Sequence, residues 1–237
     1  MAVTLSITDS LRYVSTLLDN QLLSVNELDP GITAANIVLQ RMLGAPFVWR
    51  FNRANLPVAI AANSGTDFTV SCDDLGRIET QWLTDATNKI HELKGAQSIA
   101  KRGSAVVGRP TEVAPVYDDN AGNITFRVNM IANAPYTAFF DYQKKAPLLQ
   151  SYGATFGPVP DEFGYLFNKG LLAECALLTN DSRFPIWERD FMAGLLATQD
   201  GLDAQSIAIF LGQTLNLGRT AGRSQSLSQT GGTARTV

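Results

Sequence analysis

The chain predicts an α+β protein: a helical bundle formed by its N- and C-terminal helices, with an antiparallel β-sandwich or barrel inserted between them. Three observations predict this. Apolar residues recur at helical spacing near both ends, at Leu11, Val14, Leu18 and Leu22 and again at Phe163, Leu166, Phe167, Leu171, Cys175 and Leu178. Between them, from Phe47 to Tyr142, short runs of strand character are cut by turn residues. From 108 to 180, strand chemistry then passes to helix chemistry with no linker between. The expected division is 1–46 with 160–212 as the helical part, 47–159 as the inserted β part, and 213–237 as an extended tail.

Residues 8–25 form the first expected helix, with Thr8 as its N-cap. Residues 26–29 break it, and Asp29-Pro30 starts a second, with the aspartate as cap and proline at the first helical position. Ile32, Ala35, Leu39 and Met42 or Leu43 make its stripe, and Gly44 followed by Pro46 ends it. So short a connection suits an antiparallel pair.

At Phe47 the period changes. Phe47, Trp49 and Phe51 alternate with Val48, Arg50 and Asn52, the pattern of a half-buried strand. Further strands are expected at 57–62 and 67–72, separated by the turn Asn63-Ser64-Gly65-Thr66, and a second turn follows at Asp73-Asp74-Leu75-Gly76. A hairpin pairs 77–83 with 88–93 around 84–87, placing Ile78, Thr80 and Trp82 on one face. Residues 95–103 read as a short helix or a loop, and 104–108 as a connector. Strands at 112–117, 124–130 and 136–142 follow, Pro115 demoting the first towards an edge. The third helix starts near Pro160. Asn180-Asp181-Ser182 interrupts, and Ser182 caps a fourth carrying Phe184, Trp187, Phe191 and Leu195. A shorter helix is expected at 203–212, and the two terminal helix pairs are expected to pack together.

Composition narrows the function classes. Only 17% of residues are charged, which suits a surface partly kept against partners, and a net charge of −3 argues against a general nucleic-acid binder. The tail from 213 carries Arg219, Arg223 and Arg235 and no acid, leaving 16 bases against 22 acids in 1–212. Its remaining Gly, Thr, Ser and Gln would be disordered alone, so we expect a partner protein or neighbouring subunit to pin it. Two distant cysteines, Cys72 and Cys175, make no disulfide scaffold and favour buried thiols in a reducing compartment. No run of 18 apolar residues and no basic-then-apolar leader is present, so no membrane role is expected.

Catalytic motifs are absent. The chain has one histidine, His91, read as an exposed strand residue, and lacks G-x-S-x-G, a Walker loop and G-x-G-x-x-G. One His and two Cys do not make a zinc cluster. Asp73-Asp74 and Asp118-Asp119 lie in turns that favour Asp, and Asp161-Glu162 lies at a helix start that favours acids, so backbone reasons account for all three pairs. No catalytic residue, cofactor or metal is assigned.

The helix pair followed directly by Trp49-Arg50-Phe51-Asn52, the strand at 77–83, Gly108-Arg109-Pro110-Thr111 ahead of strands, and Pro160-Asp161-Glu162-Phe163 opening a helix after the sheet together resemble the head-to-tail adaptors of tailed bacteriophages. That group includes the tail tubular protein A (gatekeeper) and related head-completion connectors. The resemblance spans about 8–200, and its specificity lies in the order of short motifs. It implies a structural virion protein of the phage neck, assembled in the host cytoplasm. It implies a homo-oligomeric ring, commonly of 12 copies, joining the portal protein to the tail or nozzle protein and extending a channel through which DNA passes without specific binding. Family members often grip the portal with a terminal segment. The basic tail fits that role, with Leu215, Leu217, Arg219, Arg223, Leu227 and Arg235 as the docking residues, although no motif matches there. The alternatives are a β-sandwich module that binds a ligand or protein, marked by an exposed aromatic row, and a hydrolase using a carboxylate pair.

Overall fold

A computed structural model describes residues 6–18, 31–100, 106–119 and 121–199. Among these the chain is mixed α and β. Helices α1 (Ile7–Leu18) and α2 (Gly31–Leu43) come first. Then come strands β1 (Arg53–Ile60), β2 (Asp67–Ser71), β3 (Leu75–Asp85), β4 (Ile90–Glu92), β5 (Lys94–Gly95), β6 (Val107–Gly108), β7 (Glu112–Asp118), β8 (Asn123–Val128), β9 (Ile131–Ala132) and β10 (Tyr136–Lys144). Helices α3 (Gly164–Leu178) and α4 (Phe184–Ala197) follow.

The four helices share one apolar cluster. Ile7, Leu11, Val14 and Leu18 of α1 and Val38, Leu39 and Met42 of α2 are buried, at the spacing that puts one face inward. Leu166, Phe167, Leu171 and Cys175 of α3 join Phe191, Leu195 and Leu196 of α4 there. Arg41 of α2 ties the layer together through ion pairs with Glu174 of α3 and Glu188 of α4, while its guanidinium lies 4.9 Å over the Phe191 ring.

The caps differ from expectation. Ser6, not Thr8, caps α1: the Asp9 N–H donates to Ser6 Oγ at 3.2 Å, and Ser6 Oγ donates to Asp9 Oδ2 at 2.7 Å. The Ser6 N–H also donates to Asp9 Oδ2, at 3.4 Å, which makes this a reciprocal box with the acid at N3. Thr8 lies inside the helix and donates its hydroxyl to the Tyr152 carbonyl at 2.8 Å. At α4, Ser182 makes no cap. Asp181 accepts the Arg183 N–H at 2.8 Å, because its carboxylate reaches the unpaired amide one residue into the turn. Phe163 belongs to a short 3-10 turn ahead of α3, and Leu178 at the helix end is exposed rather than part of the stripe. The starting residues of the second helix (Asp29, Pro30), Leu22 and the helix at 203–212 lie outside the described residues. Ser6→Ala should lower the unfolding free energy by roughly 1 kcal/mol, read by urea denaturation, with Thr8→Val costing no helix cap.

The strands make two four-stranded sheets, in the orders β1-β10-β3-β4 and β2-β8-β7-β5, and a small β6-β9 pair. Their shared cluster includes Phe126 of β8, which stacks on Phe140 of β10 across the two sheets at 4.8 Å. The expected all-antiparallel pairing fails in two places: β5 runs parallel to β7, and β6 parallel to β9. Strand β5 straddles the start, and β6 forms the end, of the 95–108 stretch read as helix, loop or connector. A long connection can turn back far enough for parallel pairing, as a tight hairpin cannot.

The hairpin of β3 and β4 holds, pairing Trp82 with Glu92 and Leu83 with His91. Ile78 does not share the face of Thr80 and Trp82. Against β10, Asp141 faces Thr80 but Tyr142 faces Ile78, so Glu79 is a bulge, and the extra residue turns Ile78 to the core. Pro115 is not on the outermost strand of its sheet. However, β5 reaches only Glu112 and Val113, so the flank of β7 beside Pro115 is locally an edge.

The largest correction concerns 47–52, which form no strand. Residues 50–52 are a 3-10 turn, and Phe47 and Trp49 are buried in the helical cluster beside Phe51. Alternating burial holds from Phe47 to Arg50 but fails at Asn52, which is fully buried while Phe51 is half-buried, and strand pairing is absent, because side chains satisfy this backbone.

Candidate functional site

Those side chains define a junction between helices and sheets. Gln143, 2% exposed near the end of β10, accepts the Trp49 N–H at Oε1 (3.1 Å) and donates from Nε2 to the Trp49 carbonyl (3.2 Å) and to Glu79 Oε1 (2.9 Å). It offers Trp49 the donor and acceptor that a neighbouring strand would offer. Asn36 of α2 does the same for Leu149, donating to its carbonyl at 3.0 Å and accepting its N–H at 2.7 Å. Asn52 Nδ2 donates to the Lys144 carbonyl at 2.9 Å, Arg77 donates to the Phe47 carbonyl at 3.3 Å, and the Trp49 indole N–H donates to the Met42 carbonyl at 2.6 Å. Where α4 ends, Gln199 Oε1 accepts the Val48 N–H at 2.8 Å. The last described residue therefore sits at this junction. The docking residues Leu215, Leu217, Arg219, Arg223, Leu227 and Arg235 lie outside the described residues. Gln143 and Asn36 were missed in sequence, since an amide in a polar strand or on a helix carries no sign of a distant backbone partner.

Asp74, Asp118 and Asp119 have structural partners. Asp74 Oδ1 accepts the Tyr142 hydroxyl at 2.7 Å and the Cys72 thiol at 3.3 Å, and its Oδ2 lies 3.0 Å from Lys144 Nζ. Burial raises the Asp74 carboxyl, but the Tyr142 and Lys144 hydrogen bonds outweigh it and hold it below the usual range. Burial likewise pushes up the Cys72 thiol and the Tyr142 hydroxyl. Asp118 pairs with Lys145 at 3.5 Å, while Asp119 accepts the Ala121 and Asn123 N–H groups and closes its turn. Asp161 and Glu162 open the 3-10 turn. Both cysteines are free, and burial pushes the Cys175 thiol up to about 12, far from a nucleophile's range.

His91 is not the exposed residue expected. Its side chain is 12% exposed and meets Tyr136 edge-on. Nε2 lies 2.9 Å from Asp85 Oδ2, and Nδ1 lies 3.2 Å from Arg109 Nη1. A histidine oriented by an aspartate is two-thirds of a hydrolytic triad, but here the second ring nitrogen faces a guanidinium rather than a hydroxyl or thiol to be activated. Asp85 also accepts the Thr87 hydroxyl at 2.6 Å and the Thr87 and Lys89 N–H groups. These bonds, Thr87's first and His91's next, hold its carboxyl far below the usual range.

A carboxyl depressed on folding stabilises above its unfolded pKa, and that contribution is lost as pH falls through the folded one. The Tm of Asp85→Asn should therefore sit below wild type near neutral pH, and the margin should shrink as pH falls below about 4. Scanning calorimetry across pH checks this.

Between the sheets, on the β4–β5 side, a groove of 760 Å³ opens where these short strands stop covering β3 and β7. Its charges are engaged within the fold: Glu79 pairs with Arg53 at 2.6 Å, Lys145 pairs with Asp118, and Arg77 donates to the Phe47 carbonyl. The helices expose Leu177, Leu178 and Ile186 around the α3–α4 turn, with Tyr13 and Leu17 on α1. Among the described residues, no group of three or more His, Cys, Asp or Glu is placed to hold a metal ion, and no helix is long and apolar enough to cross a membrane. No protein-family model matches the chain, and neither does any curated protein.

Proposed function

We propose that this chain is a head-to-tail adaptor of a tailed bacteriophage: a structural subunit of a ring, of 12 copies, that joins the portal protein to the tail and continues the DNA channel. In this reading the helices form a bundle, 47–159 are a sandwich inserted into it, and 213–237 dock on the portal through Leu215, Leu217, Arg219, Arg223, Leu227 and Arg235. The subunit works by shape and docking, without catalysis or a cofactor. One observation carries the reading. Helices from both ends of the chain share a single apolar cluster, while the strands between them have another, in the element order the resemblance implies. The exposed Leu177, Leu178 and Ile186 suit a protein that covers apolar surface on assembly. The test is mass spectrometry of purified virions with cryo-EM averaging of the neck. A ring of this chain between portal and tail is expected, and its absence from intact virions refutes the proposal.

A second reading, a ligand-binding sandwich, has an observation of its own. Pro57, Phe139 and Trp82 lie opposite one another across β1, β10 and β3. But Trp82 and Phe139 stack on each other at 5.4 Å and 7°, using on each other ring faces that a sugar platform would present to its ligand. A glycan-binding assay with Trp82→Ala as control decides it.

A further inference from the structure

We propose that the open seam between the two sheets is a strand-binding site, and that residues 213–218 of the same chain fill it, shielding Leu215 and Leu217 until a partner draws them out.

One end of the seam is closed by the chain itself. Strand β4 covers β3 at Trp82, Leu83 and Thr84, and β5 covers β7 at Glu112 and Val113. Leu93, the residue between β4 and β5, is 2% exposed, so it plugs the gap where the chain crosses from one sheet to the other. Gln81 marks the limit of this closure: its amide lies against Gly95, where a Cβ would come within 2.8 Å of Nε2. Beyond it, 75–81 of β3 and 114–118 of β7 have no strand on that flank among the described residues. The 760 Å³ groove lies between these two edges, with Ile78, Ile124 and Phe126 in its wall and Val116 and Tyr117 exposed at its rim.

What the groove offers sets the chemistry of its occupant. A charged ligand would have to break Glu79 from Arg53 or Lys145 from Asp118. Left on offer are the main-chain N–H and C=O groups of a strand edge, and an apolar wall. An uncharged, extended segment with apolar residues at every second position satisfies both. The better edge is β3, because Pro115 lacks an N–H and the register shift at Val116 bends β7.

The stretch Gln213-Thr214-Leu215-Asn216-Leu217-Gly218 has that pattern, with no charge and both leucines on one face. It also departs from the right place. Gln199 accepts the Val48 N–H, next to Phe47. Phe47 lines a second groove, of 380 Å³, which shares Gly76, Arg77 and Lys145 with the first. One continuous trough therefore runs from beside Gln199 to the open edge of β3. The 14 residues from 200 to 213 reach up to about 45 Å, more than the roughly 36 Å length of β3 itself. The parked strand does not rest on the adaptor reading; the portal as the partner that draws it out does.

Amide exchange on the full chain tests the site. In wild type, the outward-facing amides of 76–81 should exchange roughly tenfold slower than in Leu215→Asp/Leu217→Asp. Unchanged protection of β10 shows that the variant is folded. A synthetic peptide of residues 211–220, added to the variant at about 1 mM to match the effective concentration of a linked segment, should restore the protection. The same peptide with both aspartates should not. Equal exchange in the two chains, or a peptide that restores nothing, overturns the proposal. Protection that weakens on dilution overturns it too, since it assigns the strand to a second copy. Every arm uses the free chain, so the result stands whatever the virions contain.

Discussion

Gln143→Leu is expected to lower the unfolding free energy by about 3 kcal/mol while leaving both apolar clusters their full complement of side chains. Leucine is one atom shorter than glutamine but branched and apolar, so packing is the smaller part of what is lost. The loss is three hydrogen bonds in a site where nothing replaces them. The Trp49 N–H and carbonyl lie in a buried residue, and Glu79 Oε1 loses the amide that faced it. Each group stripped of its partner away from water costs about 1–3 kcal/mol, and shared relaxation keeps the total near the lower sum. The effect should appear first at the junction, with Trp49 amide exchange accelerating before that of β10. Urea denaturation with hydrogen exchange measures both. A loss under about 1 kcal/mol would mean that Asn52 and Arg77 hold the segment without Gln143.

The same junction shows what the sequence could and could not disclose. Helical stripes were legible because a buried face imposes its period on the residues that make it, as in Leu11, Val14 and Leu18. Turns were legible where the backbone needs a left-handed residue, as at Asn63 and Gly65 with φ 56° and 92°, whereas Asn88, read as the start of the returning strand, sits at φ 60° ahead of it. The 47–52 run was misread because alternating burial is the signature of a face, not of a hydrogen-bonding partner. Whether such a run becomes a strand depends on what its N–H and C=O groups meet, and here they meet Gln143 and Arg77, far along the chain. His91 was misread for the same reason. Its burial comes from Asp85, Arg109 and Tyr136, which only the folded topology assembles.

The other large effect lies where the helices cross. Gly170 of α3 faces α2 and α4 together: a Cβ there would come within 2.7 Å of Val38 Cγ1, 2.8 Å of Phe191 Cε2 and 2.9 Å of Phe191 Cζ. Those atoms cannot swing aside, since one is a β-branched methyl and the others belong to a buried ring under Arg41. Gly194 of α4 makes the reciprocal approach, where a Cβ would lie 2.5 Å from Leu166 Cδ2. Two opposing tendencies meet at Gly170. Alanine in a helix interior gains about 1 kcal/mol of propensity over glycine, while overpacking a close crossing costs about 1–3 kcal/mol. Packing should win with alanine, by about 1 kcal/mol, and decisively with leucine, where the helices must part and the loss reaches about 3 kcal/mol or more. A double-mutant cycle separates this from any general intolerance of the site. Val38→Ala removes the nearest obstructing methyl, so Val38→Ala with Gly170→Ala should be less destabilised than the sum of the singles by about 1 kcal/mol. Strict additivity in urea denaturation would place the cost at Phe191 alone and move the tight point of the helical layer from the α2–α3 face to the α3–α4 face.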